Sequence, residues 1–264
     1  MHEIADIACN FTSDRFDNDL DEVIDRAIAN HITKFGLICS RLRDIDKLLE
    51  IYNRYSKNMF FTIGVHPHHA NEINAEYLEK LKEVINKVNP HAIGETGLDF
   101  FRNLSTYEEQ VYAFEEQIKI AIDTNKPLFL HQRDSHEDFI KILRKYSSDI
   151  SKAVVHCFTG TQSQLDDYLE LDCYIGVTGW ICDEKRNVEL RKTIKNIPLS
   201  KLMIETDCPY LIPKNLLDKP KNNRNEPSYL NHIVTEISIL LDTDEEDIRN
   251  ESFKNTLSFF QGVN

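Results

Sequence analysis

The chain has 264 residues, 44 acidic against 31 basic side chains and a formal net charge of −13, with 41% hydrophobic and 28% charged residues. That composition excludes disordered and collagen-like classes. The lack of a basic excess argues against non-specific adhesion to a polyanion, but it leaves room for a nuclease whose acidic site is offset by a divalent cation.

Eight short apolar or β-branched runs recur along the chain, at residues 4–10, 35–40, 60–66, 92–97, 127–133, 153–158, 173–179 and 201–207. Helical spacing fills the intervals, as in Leu20, Val23, Ile24, Ala27 and Ile28, then Leu78, Leu81, Val84, Ile85 and Val88, then Phe114, Ile118, Ala121 and Ile122. Strand starts every roughly 20 to 36 residues, each followed by a helix, predict eight parallel βα units closed into a TIM (β/α)8 barrel. Two open-sheet halves are the rival. The barrel is preferred because polar residues close several different strands at their C-terminal ends, where barrels build active sites. No linker or composition shift divides the chain, so residues 1–264 read as a single domain. After the eighth strand, Pro209, Pro213, Pro220 and Pro227 enforce a long irregular loop, and residues 229–241 and 244–260 read as closing helices.

Glu95, His131, His156 and Asp207 all stand at or near predicted strand ends. Imidazole nitrogen combined with carboxylate oxygen suits Mg²⁺, Mn²⁺, Zn²⁺ or Fe²⁺, the histidines tilting away from purely magnesium chemistry. Glu95, His131 and His156 are therefore expected to hold a metal that activates water, with Asp207 as ligand or general base. His66 and His68, just past the third strand, are candidate phosphate contacts. Arg133 and Asp99 could bind phosphate, support the ligands or pair with each other. Arg224 ends a basic stretch from Lys214 that could form a phosphate-facing rim or a plain solvated loop. Phe100, Trp180 and Tyr210 lie where a base could stack, although packing is the ordinary role of such aromatics.

The six cysteines include no CxxC pair and read as small core residues of a reducing compartment. The acidic start of the chain and the lack of a membrane-length apolar run lead us to expect a cytoplasmic protein.

Six ordered motifs carry a resemblance: Gly64-Val65-His66-Pro67-His68, Ile93-Gly94-Glu95-Thr96-Gly97-Leu98-Asp99, Leu130-His131-Gln132-Arg133-Asp134, His156-Cys157-Phe158-Thr159-Gly160, Ile204-Glu205-Thr206-Asp207-Cys208-Pro209-Tyr210 and Arg224-Asn225-Glu226-Pro227. Over nearly its whole length the chain resembles the TatD family of metal-dependent nucleases. The resemblance implies an amidohydrolase-like TIM barrel that cleaves phosphodiesters, with Mg²⁺ as the usual metal; the ligand types alone leave Mn²⁺ or Zn²⁺ as alternatives. It places the metal on Glu95, His131 and His156 and the catalytic aspartate at Asp207. It further implies a 3′ to 5′ exonuclease on single-stranded DNA and RNA, with a role in DNA repair. Many relatives carry Asp-x-His-x-His at the end of the first strand, where this chain reads Asp6-Ile7-Ala8-Cys9-Asn10, so one strong metal site is expected and a full second one is not. A monomer is expected. The alternatives are a D-aminoacyl-tRNA deacylase-like hydrolase on the same centre, and a barrel that binds nucleic acid without turnover.

Overall fold

Eight parallel strands stand side by side in chain order in the computed structural model, which describes residues 2–261: β1 Ile4–Cys9, β2 Ile32–Leu37, β3 Met59–Ile63, β4 Ala92–Asp99, β5 Leu128–Arg133, β6 Ala153–Val155, β7 Tyr174–Val177 and β8 Leu202–Ile204. Between them run helices α1 Leu20–Ala29, α2 Ile45–Tyr55, α3 Ala75–Val88, α4 Tyr107–Asp123, α5 His136–Tyr146, α6 Gln162–Glu170 and α7 Val188–Thr193. Two more, α8 Leu230–Leu241 and α9 Glu245–Gln261, follow the last strand. The strands are almost wholly buried, as expected when helices cover one face of a sheet whose other face lines a barrel. The TIM barrel expectation is met. Among the described residues no helix is long and apolar enough to cross a membrane.

Strand limits differ from the sequence-based expectation in instructive ways. β2 starts at Ile32, because Ile4 pairs with Ile32 at the base of the barrel and the register runs up from there. β6 and β8 stop at Val155 and Ile204, since Cys157 and Asp207 take left-handed φ values of 49° and 55° that break a ladder. β4 runs two residues further, to Asp99.

The barrel interior holds a small apolar cluster that includes Ile7, Phe60, Phe129, Val154 and Met203, joined from α9 by Phe259 and Phe260. Phe260 stacks on Phe60 with centroids 4.8 Å apart. Side chains two apart on a strand share a face, so His131 stands above Phe129, His156 above Val154 and Glu205 above Met203. The polar residues thus project from the rim over an apolar floor.

β1 and β8 share no full ladder. One bridge between Cys9 and Cys208, a hydrogen bond from the Asn10 amide to the Cys208 carbonyl at 2.9 Å, and the buried Asp6 carboxylate form the seam. Asp6 accepts the Thr206 backbone N–H at 2.9 Å and the Thr206 hydroxyl. Burial, only partly offset by these bonds, pushes the Asp6 carboxyl up to about 7.

Candidate metal and catalytic site

Glu95 is the hub of the rim. Its Oε1 lies 2.8 Å from His156 Nε2, 3.0 Å from His131 Nδ1 and 3.2 Å from His66 Nε2. β4 delivers the glutamate, β5 delivers His131, and the turns just beyond β6 and β3 deliver His156 and His66. Gly97 makes the close approach of β4 and β5 feasible: with φ 146°, a Cβ there would sit 1.9 Å from the His131 carbonyl oxygen.

Each ligand-type imidazole is fixed from behind by a second carboxylate. His131 Nε2 lies 3.3 Å from Asp99 Oδ2, and His156 Nδ1 lies 3.3 Å from Glu205 Oε2. Glu205 is fully buried, and its other oxygen accepts the Cys157 N–H. Gly176 leaves it room, since a Cβ there would lie 2.7 Å from Glu205 Oε1. An imidazole with both nitrogens facing carboxylates satisfies both bonds only as the two-donor cation. Burial alone would lower both histidines, but their carboxylates outweigh it, raising His131 and pushing His156 well above the ordinary value. His66 differs. Its Nδ1 accepts the His68 N–H at 3.1 Å, and burial pushes it down to about 4, so it is a neutral ring that donates from Nε2 to Glu95. Burial would raise Glu95 too, yet the surrounding imidazoles of His66, His156 and His131 hold it well below the usual carboxylate range.

Asp207 occupies the turn after β8, and its Oδ1 accepts from Asn10 Nδ2 at 2.9 Å. Burial pushes its carboxyl up to about 7; the positive His156 opposes the shift, while Glu95 and Glu205 add to it. Asn10 also donates to the Cys208 carbonyl at 3.1 Å, so its amide nitrogen is directed at acceptors. With Ala8 apolar and buried, the end of β1 offers Asp207 a hydrogen-bond donor, Asn10, and no imidazole.

Of the expected substrate contacts, His68 is at the edge of the cluster, its Nε2 2.7 Å from Asp99 Oδ2. Asp99 also accepts the backbone N–H groups of Phe101 and Arg102 at 3.0 and 2.8 Å. Burial would raise the Asp99 carboxyl, but His131, His68 and the Arg102 amide together lower it far more. Arg133 does not pair with Asp99; it is exposed and lies 4.0 Å over the Phe101 ring. Arg224 is committed elsewhere. It grips Asp19 with two bonds of 2.6 Å, donates to the Arg15 carbonyl at 2.7 Å and covers Phe16. Among the stacking candidates Phe100 and Trp180 pack against the core, while Tyr210 is exposed. Glu205 and Phe101 lie outside the site expected from sequence, and the His66 ring, expected to face substrate, is turned onto Glu95.

The donor set fits a divalent cation. Three imidazole nitrogens and a carboxylate oxygen converge, and His66, Glu95 and His131 offer ligand atoms within 4.8 Å of one another. Carboxylates behind His131 and His156 supply the outer support typical of metal-binding histidines.

The model of the TatD related DNase family matches residues 5–261. The 3'-5' ssDNA/RNA exonuclease TatD of Erwinia amylovora is 39% identical over 255 residues, covering 97% of this chain and 98% of that protein. The protein of the same name from Escherichia fergusonii is 42% identical over 233 residues, covering 88% and 89%. A crystal structure of a TatD family hydrolase from Entamoeba histolytica superposes with a TM-score of 0.90 at 30% identity over 99% of both chains.

Proposed function

The chain belongs to the TatD related DNase family, and from that membership we propose that it is a metal-dependent exonuclease that removes nucleotides from the 3′ end of single-stranded DNA and RNA. The observation that carries the site assignment is the convergence of His66, His131 and His156 on one oxygen of Glu95. Glu95, His131 and His156 hold the divalent cation, Mg²⁺ before Mn²⁺ or Zn²⁺. When bound, it supplies charge neutralisation to the phosphoryl oxygens and makes water easier to deprotonate.

The protein's own side chains do the rest. Asp207, held near pH 7 by burial, is matched to take a proton from the attacking water at neutral pH. Asn10 orients that carboxylate. Asp99 and Glu205 fix the ring orientations of His131 and His156, while His68 and Arg133 face the phosphate. Arg224, its donors taken by Asp19 and Arg15, braces the loop after β8. With Ala8 and Asn10 at the end of β1, one strong ion site is proposed. The whole of 1–264 acts as one domain and, we propose, as a monomer.

The test uses single-stranded oligonucleotides labelled at the 3′ or 5′ end, incubated with Mg²⁺, Mn²⁺, Zn²⁺ or EDTA and with Asp207→Asn. Stepwise loss from the 3′ end, abolished by EDTA and by the variant, is expected. Activity that survives both would refute the metal mechanism. Cleavage of a charged tRNA ester with no phosphodiester loss would instead favour the deacylase.

A further inference from the structure

Phe101 leaves 56% of its surface exposed on the short loop between β4 and α4, and its sequence neighbourhood gives no structural reason for a bare ring there. The ring is nevertheless tied to the site. Its backbone N–H donates to Asp99 Oδ1, and the other oxygen of the same carboxylate touches His68 and His131. The guanidinium lying 4.0 Å over the ring comes from Arg133, two residues beyond His131 on the same face of β5. The N–H of Phe100 donates to the Arg133 carbonyl at 2.9 Å, locking the ends of β4 and β5 together. Among the described residues the Arg133 guanidinium has no carboxylate within ion-pair distance, although acidic side chains outnumber basic ones 44 to 31. An aromatic face backed by an uncompensated cation, one step from the ligand histidines, has the chemistry of a nucleotide: a π surface for the base and N–H donors for the phosphate.

We propose that Phe101, with Arg133 seated on one face, is the stacking platform for the unpaired base of one of the two nucleotides joined by the scissile phosphodiester, Arg133 donating to the adjoining phosphate. This rests on the nuclease reading above and adds to it a base-binding position. The platform has no hydrogen-bonding groups aimed at a base edge, so it holds any base. It requires that base to be out of a duplex stack, which favours single strands.

The rival role for the pair is local: a surface cation–π contact that steadies the loop. The two roles separate in kinetics. Phe101→Ala, Phe101→Leu and Phe101→Trp are compared with the native protein on 3′-labelled single strands that are intact or carry an abasic site at the last or next-to-last position. Base stacking removed by truncation is expected to raise KM about 5- to 100-fold with kcat nearly unchanged. Leucine should behave as alanine, and tryptophan should restore the native KM. At one of the two positions the abasic site should weaken the native enzyme by a similar factor and leave Phe101→Ala unaffected, the non-additivity expected of partners in contact. An unchanged KM in Phe101→Ala, or penalties from the variant and the abasic site that simply multiply, overturns the platform. Should the native protein cleave no phosphodiester, the nuclease reading itself falls. The platform is then judged by quenching of 2-aminopurine placed at the 3′ end of a strand bound to Asp207→Asn: quenching lost on adding Phe101→Ala supports it, and no quenching refutes it.

Discussion

Replacing Glu205 by Gln changes one atom type in a fully buried side chain, and its effect can be worked out from two contacts. The carboxylate uses both oxygens as acceptors, one for the Cys157 N–H and one for His156 Nδ1 at 3.3 Å. Glutamine has a single carbonyl oxygen, so one of these N–H donors must face an NH₂ group instead. The wedge against Gly176 leaves the side chain little freedom to avoid this. If Cys157 keeps its acceptor, His156 loses a charge-assisted bond worth about 1.5–3 kcal/mol. At 1.4 kcal/mol per factor of ten, that corresponds to metal affinity about 10- to 100-fold weaker, the range usual for losing the group behind a metal-bound histidine. Activity titrated against Mg²⁺ and Mn²⁺, together with calorimetric binding of Mn²⁺ to the metal-free protein, measures it. The half-saturating metal concentration should rise by that factor while kcat at saturating metal stays near the native value. An unmoved half-saturation point, with or without a fall in kcat, would refute the assignment of Glu205 to His156.

Asp207→Asn should lower kcat about 10²- to 10⁴-fold while elemental analysis finds the metal still bound. In the native enzyme kcat/KM should fall as pH drops through about 7, because a general base works only when ionised and burial holds this carboxyl there. His91, packed among Tyr52, Phe60 and Phe61 on the side of the barrel away from the site, is pushed from 6.5 to about 4 by burial and then by Lys126. Its folded pKa is depressed, so its contribution is complete above pH 6.5 and lost as pH falls toward 4, a change of about 3 kcal/mol. His91→Asn, which keeps an acceptor for the Phe61 N–H, should reduce by that amount the pH dependence of the unfolding free energy obtained from urea titrations. Arg224→Ala should cost about 1.5–3 kcal/mol of stability by removing the charge-assisted bonds to Asp19 and the bond to the Arg15 carbonyl, with the substrate KM unchanged; a raised KM at native Tm would instead make Arg224 a phosphate contact.

Much of the barrel could be read from the chain because strand burial and helix periodicity are local properties. The convergence of Glu95, His131 and His156 was legible for the same reason: each ends an apolar run. Glu205 was also within reach, since it lies two residues after Met203 at the end of the same apolar run; a strand read through to Asp207 points to its last carboxylate alone, whereas β8 stops at Ile204. Other features were beyond local pattern. That Asn10 serves Asp207, that Asp6 binds Thr206, and that Arg224 is held by Asp19 depends on pairs about 200 residues apart in sequence. The inward turn of His66 follows from Pro67 starting a 3-10 turn at Pro67–Glu72, whose His68 N–H the His66 ring caps.

The seam between β1 and β8 also gives the site an order of assembly. The groups proposed to hold the metal come from β4, β5 and the turn after β6, which are neighbours in sequence and in the sheet. Asp207 and Asn10 come from opposite sides of the seam, and joining them closes a loop of nearly the whole chain at an entropic cost of about 5 kcal/mol. Long-range closure of this kind forms late. We therefore expect a partly made chain to hold the groups proposed to bind metal before the proposed base is in place, with nuclease activity arriving at the final joining of the barrel.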